Sequence, residues 1–137
     1  MTERVFVDTN ILIYAASDDP SRSDDARAFL LKDSEFHIST QVINEFIAAC
    51  QKKNILSRSE IERTVEEYLS DFSLHLISDS TIRSALKIQT GYLFSYWDAL
   101  IVASALEAEC SFLLTEDLQQ DLLINKLLKI QNPFVST

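Results

Sequence analysis

Glycine is almost missing from this chain: Gly91 stands alone in 137 residues, where ordinary usage of about 7% would supply roughly ten. A glycine-rich phosphate cradle is thereby excluded, because neither a G-x-G-x-x-G fingerprint nor a P-loop can be written with one glycine. Cysteine is nearly as scarce. Cys50 and Cys110 stand apart with no C-x-x-C spacing, which argues against a disulfide framework and predicts two reduced, buried thiols. The only histidines are His37 and His75, both in strand-like segments, so serine or cysteine nucleophiles lack a well-placed base. One tryptophan and four tyrosines offer little platform for a sugar, which weighs against a glycosidase carboxylate pair.

Basic residues are the other shortage. Twelve Lys and Arg face 21 Asp and Glu, a net charge of −9, and Lys52-Lys53 is the only adjacent basic pair. Such a surface aids solubility but gives no basic stripe for a nucleic-acid backbone, whose phosphates dominate affinity. Divalent ions held at an acidic site would cancel part of that charge. No apolar run reaches the ~18 residues a membrane span requires, and no secretory leader is visible, so a cytoplasmic protein is expected. A composition of 47% hydrophobic and 24% charged residues is that of an ordinary globular domain, and 1–137 reads as one such domain.

Short apolar segments alternate with helical ones along the chain. Strands are expected at 4–7, 36–39, 73–77 and 112–115, with a possible fifth at 127–130. Helical spacing marks 11–16, 23–32 and 40–53, the last with Val42, Ile43, Phe46, Ile47 and Cys50 on one stripe. Ser57 or Ser59 is positioned to cap a helix carrying Ile61, Val65, Tyr68 and Leu69, and Asp79 or Ser80 to cap the next. Residues 95–108 are apolar nearly all round, which predicts a buried helix. Alternation of this kind predicts an α/β fold with a mostly parallel sheet, whose ligand crevice lies beyond the carboxyl ends of its strands.

Four acids fall at that edge. Asp8 closes Arg4-Val5-Phe6-Val7, Glu45 follows Val42-Ile43-Asn44, Asp98 opens the buried helix, and Asp117 follows Phe112-Leu113-Leu114-Thr115-Glu116. Each has an ordinary alternative. Asp8 and Asp117 read equally well as helix caps, Asp98 as the acid of a capping box with Ser95, and Glu45 as a solvated residue beside Gln41. Their joint placement is more telling, since acids next to a core must be paired, protonated or metal-bound. Several carboxylates within about 4–6 Å raise one another's pKa unless a cation neutralises them. Oxygen ligands without His or Cys favour Mg²⁺ or Mn²⁺ over zinc, and such ions activate water and stabilise the leaving oxygen of a phosphodiester. Asn10 and Thr115 are placed to orient these ligands.

The runs Val7-Asp8-Thr9-Asn10-Ile11-Leu12 and Ser39-Thr40-Gln41-Val42-Ile43-Asn44-Glu45-Phe46 resemble the first two motifs of PIN-domain proteins. Ser95-Tyr96-Trp97-Asp98-Ala99-Leu100-Ile101 and Leu114-Thr115-Glu116-Asp117-Leu118 resemble the third and fourth, and Ile130-Gln131-Asn132-Pro133-Phe134 is similar to the close of many VapC-like toxins. The likeness spans nearly the whole chain in order. It implies a three-layer α/β/α PIN-like fold and Mg²⁺- or Mn²⁺-dependent ribonuclease activity on structured RNA such as tRNA or rRNA. It further implies a homodimer neutralised by a VapB-like antitoxin, the toxin half of a toxin–antitoxin pair. By position, Asp8 and Asp98 would be the main metal ligands and Glu45 and Asp117 would complete the acidic cluster, making all four the expected catalytic set. Asn10, Thr115 and Glu116 would support them. An antitoxin arginine among these acids, with an apolar antitoxin segment against the helices at 40–53 and 57–70, is a further expectation.

The chain departs from the family pattern at Glu109 and Asp121, where glycine is common. The first departure predicts a left-handed, non-glycine helix terminus; the second bears on the loop beside the acids. Two other functions compete. A catalytically inactive PIN-like protein-binding module accords with the charge of −9 but leaves a costly acid cluster without purpose. A receiver-type α/β domain lacks the paired acid of its first loop, where Thr9-Asn10 stands.

Overall fold

The computed structural model describes residues 2–135 and holds a six-stranded sheet flanked by helices. In chain order, β1 (Arg4–Val7) leads to α1 (Thr9–Ala16) and α2 (Ser23–Leu30), and β2 (Glu35–Ser39) leads to α3 (Thr40–Lys52) and α4 (Arg58–Asp71). Next, β3 (Ser73–His75) precedes α5 (Asp79–Tyr92) and α6 (Tyr96–Glu107), and β4 (Phe112–Leu114) precedes β5 (Leu123–Ile124) and β6 (Leu128–Gln131). The spatial order is β3-β2-β1-β4-β6-β5, parallel throughout except for the β5–β6 pair.

Burial explains the central strands. Val5, Phe6 and Val7 of β1 are all buried, as are Leu113 and Leu114 of β4, the continuous apolar run of a strand covered on both faces. Helix caps set where the chain turns. Ser39 closes β2 and accepts the Val42 N–H, starting α3 in the next residue. Ser57 and Glu60 form a reciprocal capping box at the head of α4, and Ser95 accepts the Asp98 N–H at the head of α6. The cap of α5 is Ser78 rather than Asp79 or Ser80, because the Thr81 hydroxyl accepts from the Ser78 N–H at 3.1 Å. As its composition predicts, α6 buries every residue from Ala99 to Ala105. The core runs from Phe6 through Ile38 and Phe46 to Leu128 and Ile130, all at 0% exposure.

The sequence leaves β5 unanticipated: two residues are too short for periodicity to register, and pairing with β6 defines them. The segment after Asp117 is not the helix that a capping role would require. Both glycine departures are seen directly, with Glu109 at φ 58° ending α6 and Asp121 at φ 68°. Asn54, Leu93, Asn125 and Lys126 also adopt positive φ, whereas Gly91 does not. Cys50 and Cys110 are free and buried, as expected. Among the described residues, no helix is long and apolar enough to cross a membrane.

Strand order and register govern which loops meet. The order runs outward from β1 to β2 and β3, then reverses to place β4 on the other side of β1. Such a reversal opens a crevice at the carboxyl ends of the two strands that flank it. Val7 pairs with Leu114, and the ladder continues as the Asp8 N–H donates to the Leu114 carbonyl at 3.0 Å. Asp8 and Thr115 are therefore neighbours by backbone geometry.

Candidate active site

Asp8 is the most confined of the four acids. It caps α1 with Oδ1 accepting the Thr9 N–H at 2.7 Å, while Oδ2 accepts the Thr115 hydroxyl at 2.8 Å and the Asn10 amide at 3.4 Å. The residue is only 6% exposed. Burial pushes its carboxyl up from 3.8 to about 7, against the lowering effect of Thr115 and the Thr9 N–H, and the charges of Asp117 and Glu45 add to the rise. Capping and clustering are thus both true of Asp8. A cap alone would face water; this one faces three other segments that each bring an acid.

Glu45 lies in the second turn of α3, half-buried. Its Oε1 accepts the Thr9 hydroxyl at 2.8 Å and its Oε2 the Gln41 amide at 3.3 Å. Gln41 also donates to the Trp97 carbonyl at 3.2 Å, tying α3 to the start of α6. Asp98 sits in the first turn of α6 beyond the Ser95 cap. Its carboxyl is raised by burial and by the charge of Glu45, less what Ser95 offsets. Asp117 is raised by burial and then by Asp98. Its Oδ2 accepts the Asn10 amide at 3.1 Å, and its N–H donates to the Thr115 hydroxyl at 3.1 Å.

All four acids line one cleft of about 270 Å³, together with Thr9, Asn10, Gln41 and Trp97. Asn10 is the hub. Its side-chain nitrogen reaches Asp8, Thr115 and Asp117, and its Oδ1 accepts the Glu116 N–H at 3.4 Å. Among the described residues, no three His, Cys, Asp or Glu side chains converge on one point as a metal cage would require; the partial positive charge of the Asn10 amide lies between Asp8 and Asp117 instead. The donor set itself suits a hard divalent ion, being all oxygen, acidic and open to a cleft. A buried carboxylate held up at about 7 beside further acids is a site short of positive charge.

Glu116 faces away from this group. It accepts the Tyr14 hydroxyl at 2.9 Å and the Arg22 guanidinium at 3.2 Å, and Arg22 lies 5.7 and 5.5 Å from the Tyr14 and Phe134 ring centres. Its contacts anchor the loop that carries Asp117. His37 and His75 are remote, as expected: His37 is buried beside Arg4 and Glu35, and His75 pairs with Glu107. Thr9, Gln41 and Trp97 join the site without having been singled out from sequence. The usable signals were that Gln41 sits one turn before Glu45 on the same helix face, and that Thr9 and Trp97 adjoin Asp8 and Asp98.

The chain is an α/β protein whose mostly parallel sheet carries an acid-lined crevice at its order reversal. A family model of the PIN domain matches residues 5–123, and the chain belongs to the PIN domain family. Solved structures share the fold at low identity. A toxin–antitoxin complex from Klebsiella pneumoniae superposes with a TM-score of 0.71 at 22% identity, covering 94% of this chain and 97% of that one. VapC20 of Mycobacterium tuberculosis, a toxin that cleaves the sarcin–ricin loop, gives 0.67 at 15% identity over 80% and 86%. VapBC2 of Rickettsia felis, bound to a promoter DNA fragment, gives 0.65 at 20% identity over 94% and 99%. No curated protein sequence matches the chain.

Proposed function

We propose that this protein is a Mg²⁺- or Mn²⁺-dependent endoribonuclease, the toxin of a VapBC-like pair, working as a cytoplasmic homodimer. The observation that carries the reading is Asp8, a buried carboxylate raised to about 7 in a cleft whose other walls supply Glu45, Asp98 and Asp117. Asp8 and Asp98 are the proposed principal ligands, with Glu45 and Asp117 completing the set. A divalent ion bound there supplies charge neutralisation and water activation for phosphodiester hydrolysis. The chain's own part is positional. Thr115 and Thr9 fix the two Asp8 oxygens, and Gln41 and Thr9 fix Glu45. Asn10 holds Asp8 and Asp117 together through its side-chain amide. Membership of the PIN domain family supports a nuclease, and the toxin–antitoxin relatives support an antitoxin partner. The surface proposed for an antitoxin's apolar segment is a groove of about 460 Å³ between α3 and α4, lined by Ile47, Ile61 and Val65.

Incubation of total RNA with the purified protein, in Mg²⁺, Mn²⁺ or chelator, tests the reading. Cleavage in either metal that vanishes with chelator and in Asp98→Asn is expected. Undiminished cleavage by Asp98→Asn would sink the assignment of the site, and no cleavage by the wild type in either metal would favour the protein-binding module.

A further inference from the structure

A second cavity adjoins the acidic cleft and shares a wall with it. It is a wide, open groove of about 420 Å³, within the ~300–1,000 Å³ typical of small-ligand pockets, and roomier than the cleft itself. Ile77 and Leu100 make it apolar, Thr40 and Asn44 edge it, and Gln41, Glu45 and Trp97 belong to both spaces. The Thr40 hydroxyl accepts the Ile77 N–H at 3.3 Å, pinning the loop after β3 to the start of α3.

Trp97 is the anomaly. It is the only tryptophan in the chain and is 62% exposed, yet it stands one residue from Asp98 with its carbonyl held by Gln41. Tyr96 meets the Trp97 ring edge-to-face at 5.5 Å, and the part of the indole left open beside the polar cleft is a surface on which a ring can stack. Gln41 is 7% exposed and spends its amide N–H groups on Glu45 and Trp97. Its Oε1 is buried with no partner among the described residues, so the side chain is held in place by its two donor contacts alone. Asn44 is exposed and offers both a donor and an acceptor.

We propose that this cavity receives one nucleobase of the RNA substrate, stacked on Trp97 and read by Asn44, from a nucleotide whose backbone crosses the acids. The proposal rests on the ribonuclease reading and adds how the substrate is gripped. Charge selects the occupant. Glu45 is the only ionisable group in the lining and no Lys or Arg stands there to hold a phosphate, so the groove suits the neutral ring of the nucleotide and not its phosphate. Phosphate contacts, the usual source of affinity, are scarce here; stacking is indifferent to charge and serves single-stranded RNA well.

The lone tryptophan is its own reporter. Titration of the full chain with nucleoside 5′-monophosphates should quench Trp97 fluorescence saturably, with ribose 5-phosphate as the base-free control giving none. Trp97→Ala should raise KM for RNA cleavage by about tenfold, with Trp97→Phe recovering most of it, and Asn44→Ala should broaden the base preference beside the cut. Equal quenching by ribose 5-phosphate overturns the proposal, as does an unchanged KM and unchanged cut-site preference in Trp97→Ala. Quenching by an antitoxin peptide but by no nucleotide also overturns it. Failure of the wild type to cleave RNA would instead remove the ribonuclease reading, while the fluorescence titration still judges the pocket.

Discussion

Replacing Asp8 by Asn should make the metal-free protein more stable while disabling it. Asp8 is raised from 3.8 to about 7, so between those values the native state holds a proton that the unfolded chain has released. A state that binds more protons loses ground as pH rises, and stability should therefore fall through this window. At 1.36 kcal/mol for each tenfold change, ionised Asp8 costs the native state roughly 4 kcal/mol above neutral pH. Asp98 and Asp117 are raised as well and act in the same direction. Asn carries no charge, but its NH₂ must meet either the Thr9 N–H or the Asn10 amide, a mismatch worth about 1–2 kcal/mol. The variant should thus gain about 2 kcal/mol at about pH 8, or some 6 °C in Tm at about 3 °C per kcal/mol. The assay is thermal or urea unfolding in chelator, from about pH 5 to about pH 8. Wild type should weaken across the range and Asp8→Asn should change far less. Saturating Mg²⁺ should restore wild type by about 2.7 kcal/mol at a hundredfold excess over Kd and leave the variant unmoved. A flat wild-type profile in chelator, or a variant less stable than wild type at the alkaline end, would refute the account of a charge-starved cleft.

Three other substitutions probe the supports. Thr115→Val removes the hydroxyl that lowers Asp8, so the acid limb of the pH–activity profile should move to higher pH, at a stability cost of about 1–3 kcal/mol; an unmoved limb would dissociate Asp8 from the reaction. Ser95→Ala deletes the cap of α6 and should cost about 1 kcal/mol by denaturation with a fall in cleavage rate, while Ser95→Thr should restore both. Leu93, 91% exposed at φ 60°, gains little from its side chain, and Leu93→Gly should raise stability by about 0.5–1 kcal/mol through relief of the left-handed turn; a lower Tm would count against strain there.

What sequence alone could reach depended on how local the signal was. The four main parallel strands and the helix carrying Glu45 follow from runs of apolar residues and from caps such as Ser39 and Ser57, which act within a few residues. The acids are legible by position, and their meeting in one cleft comes from the parallel register of β1 with β4. That register is a long-range fact, argued from fold class rather than read from any residue pair. The Gln41 bridge to Trp97 spans 56 positions, and no spacing rule links two such residues. Ser78 displaces Asp79 and Ser80 as cap because the choice among adjacent polar residues turns on one hydroxyl contact. The left-handed turn at Glu109 is legible only because the family resemblance puts glycine there, and that at Asp121 is not anticipated, since nothing in either residue type marks a positive φ.

Asp8 and Asp117 lie more than a hundred residues apart, yet they share the amide of Asn10. During synthesis Asp8 emerges well before Thr115 and Asp117, which follow β4. Since β4 inserts next to β1 at the heart of the sheet, no partial product can assemble the cleft by folding its early segments alone. The cleft is thus complete only once β4 and the loop carrying Asp117 have been made, and a fragment that stops short of them holds Asp8, Glu45 and Asp98 without their fourth wall.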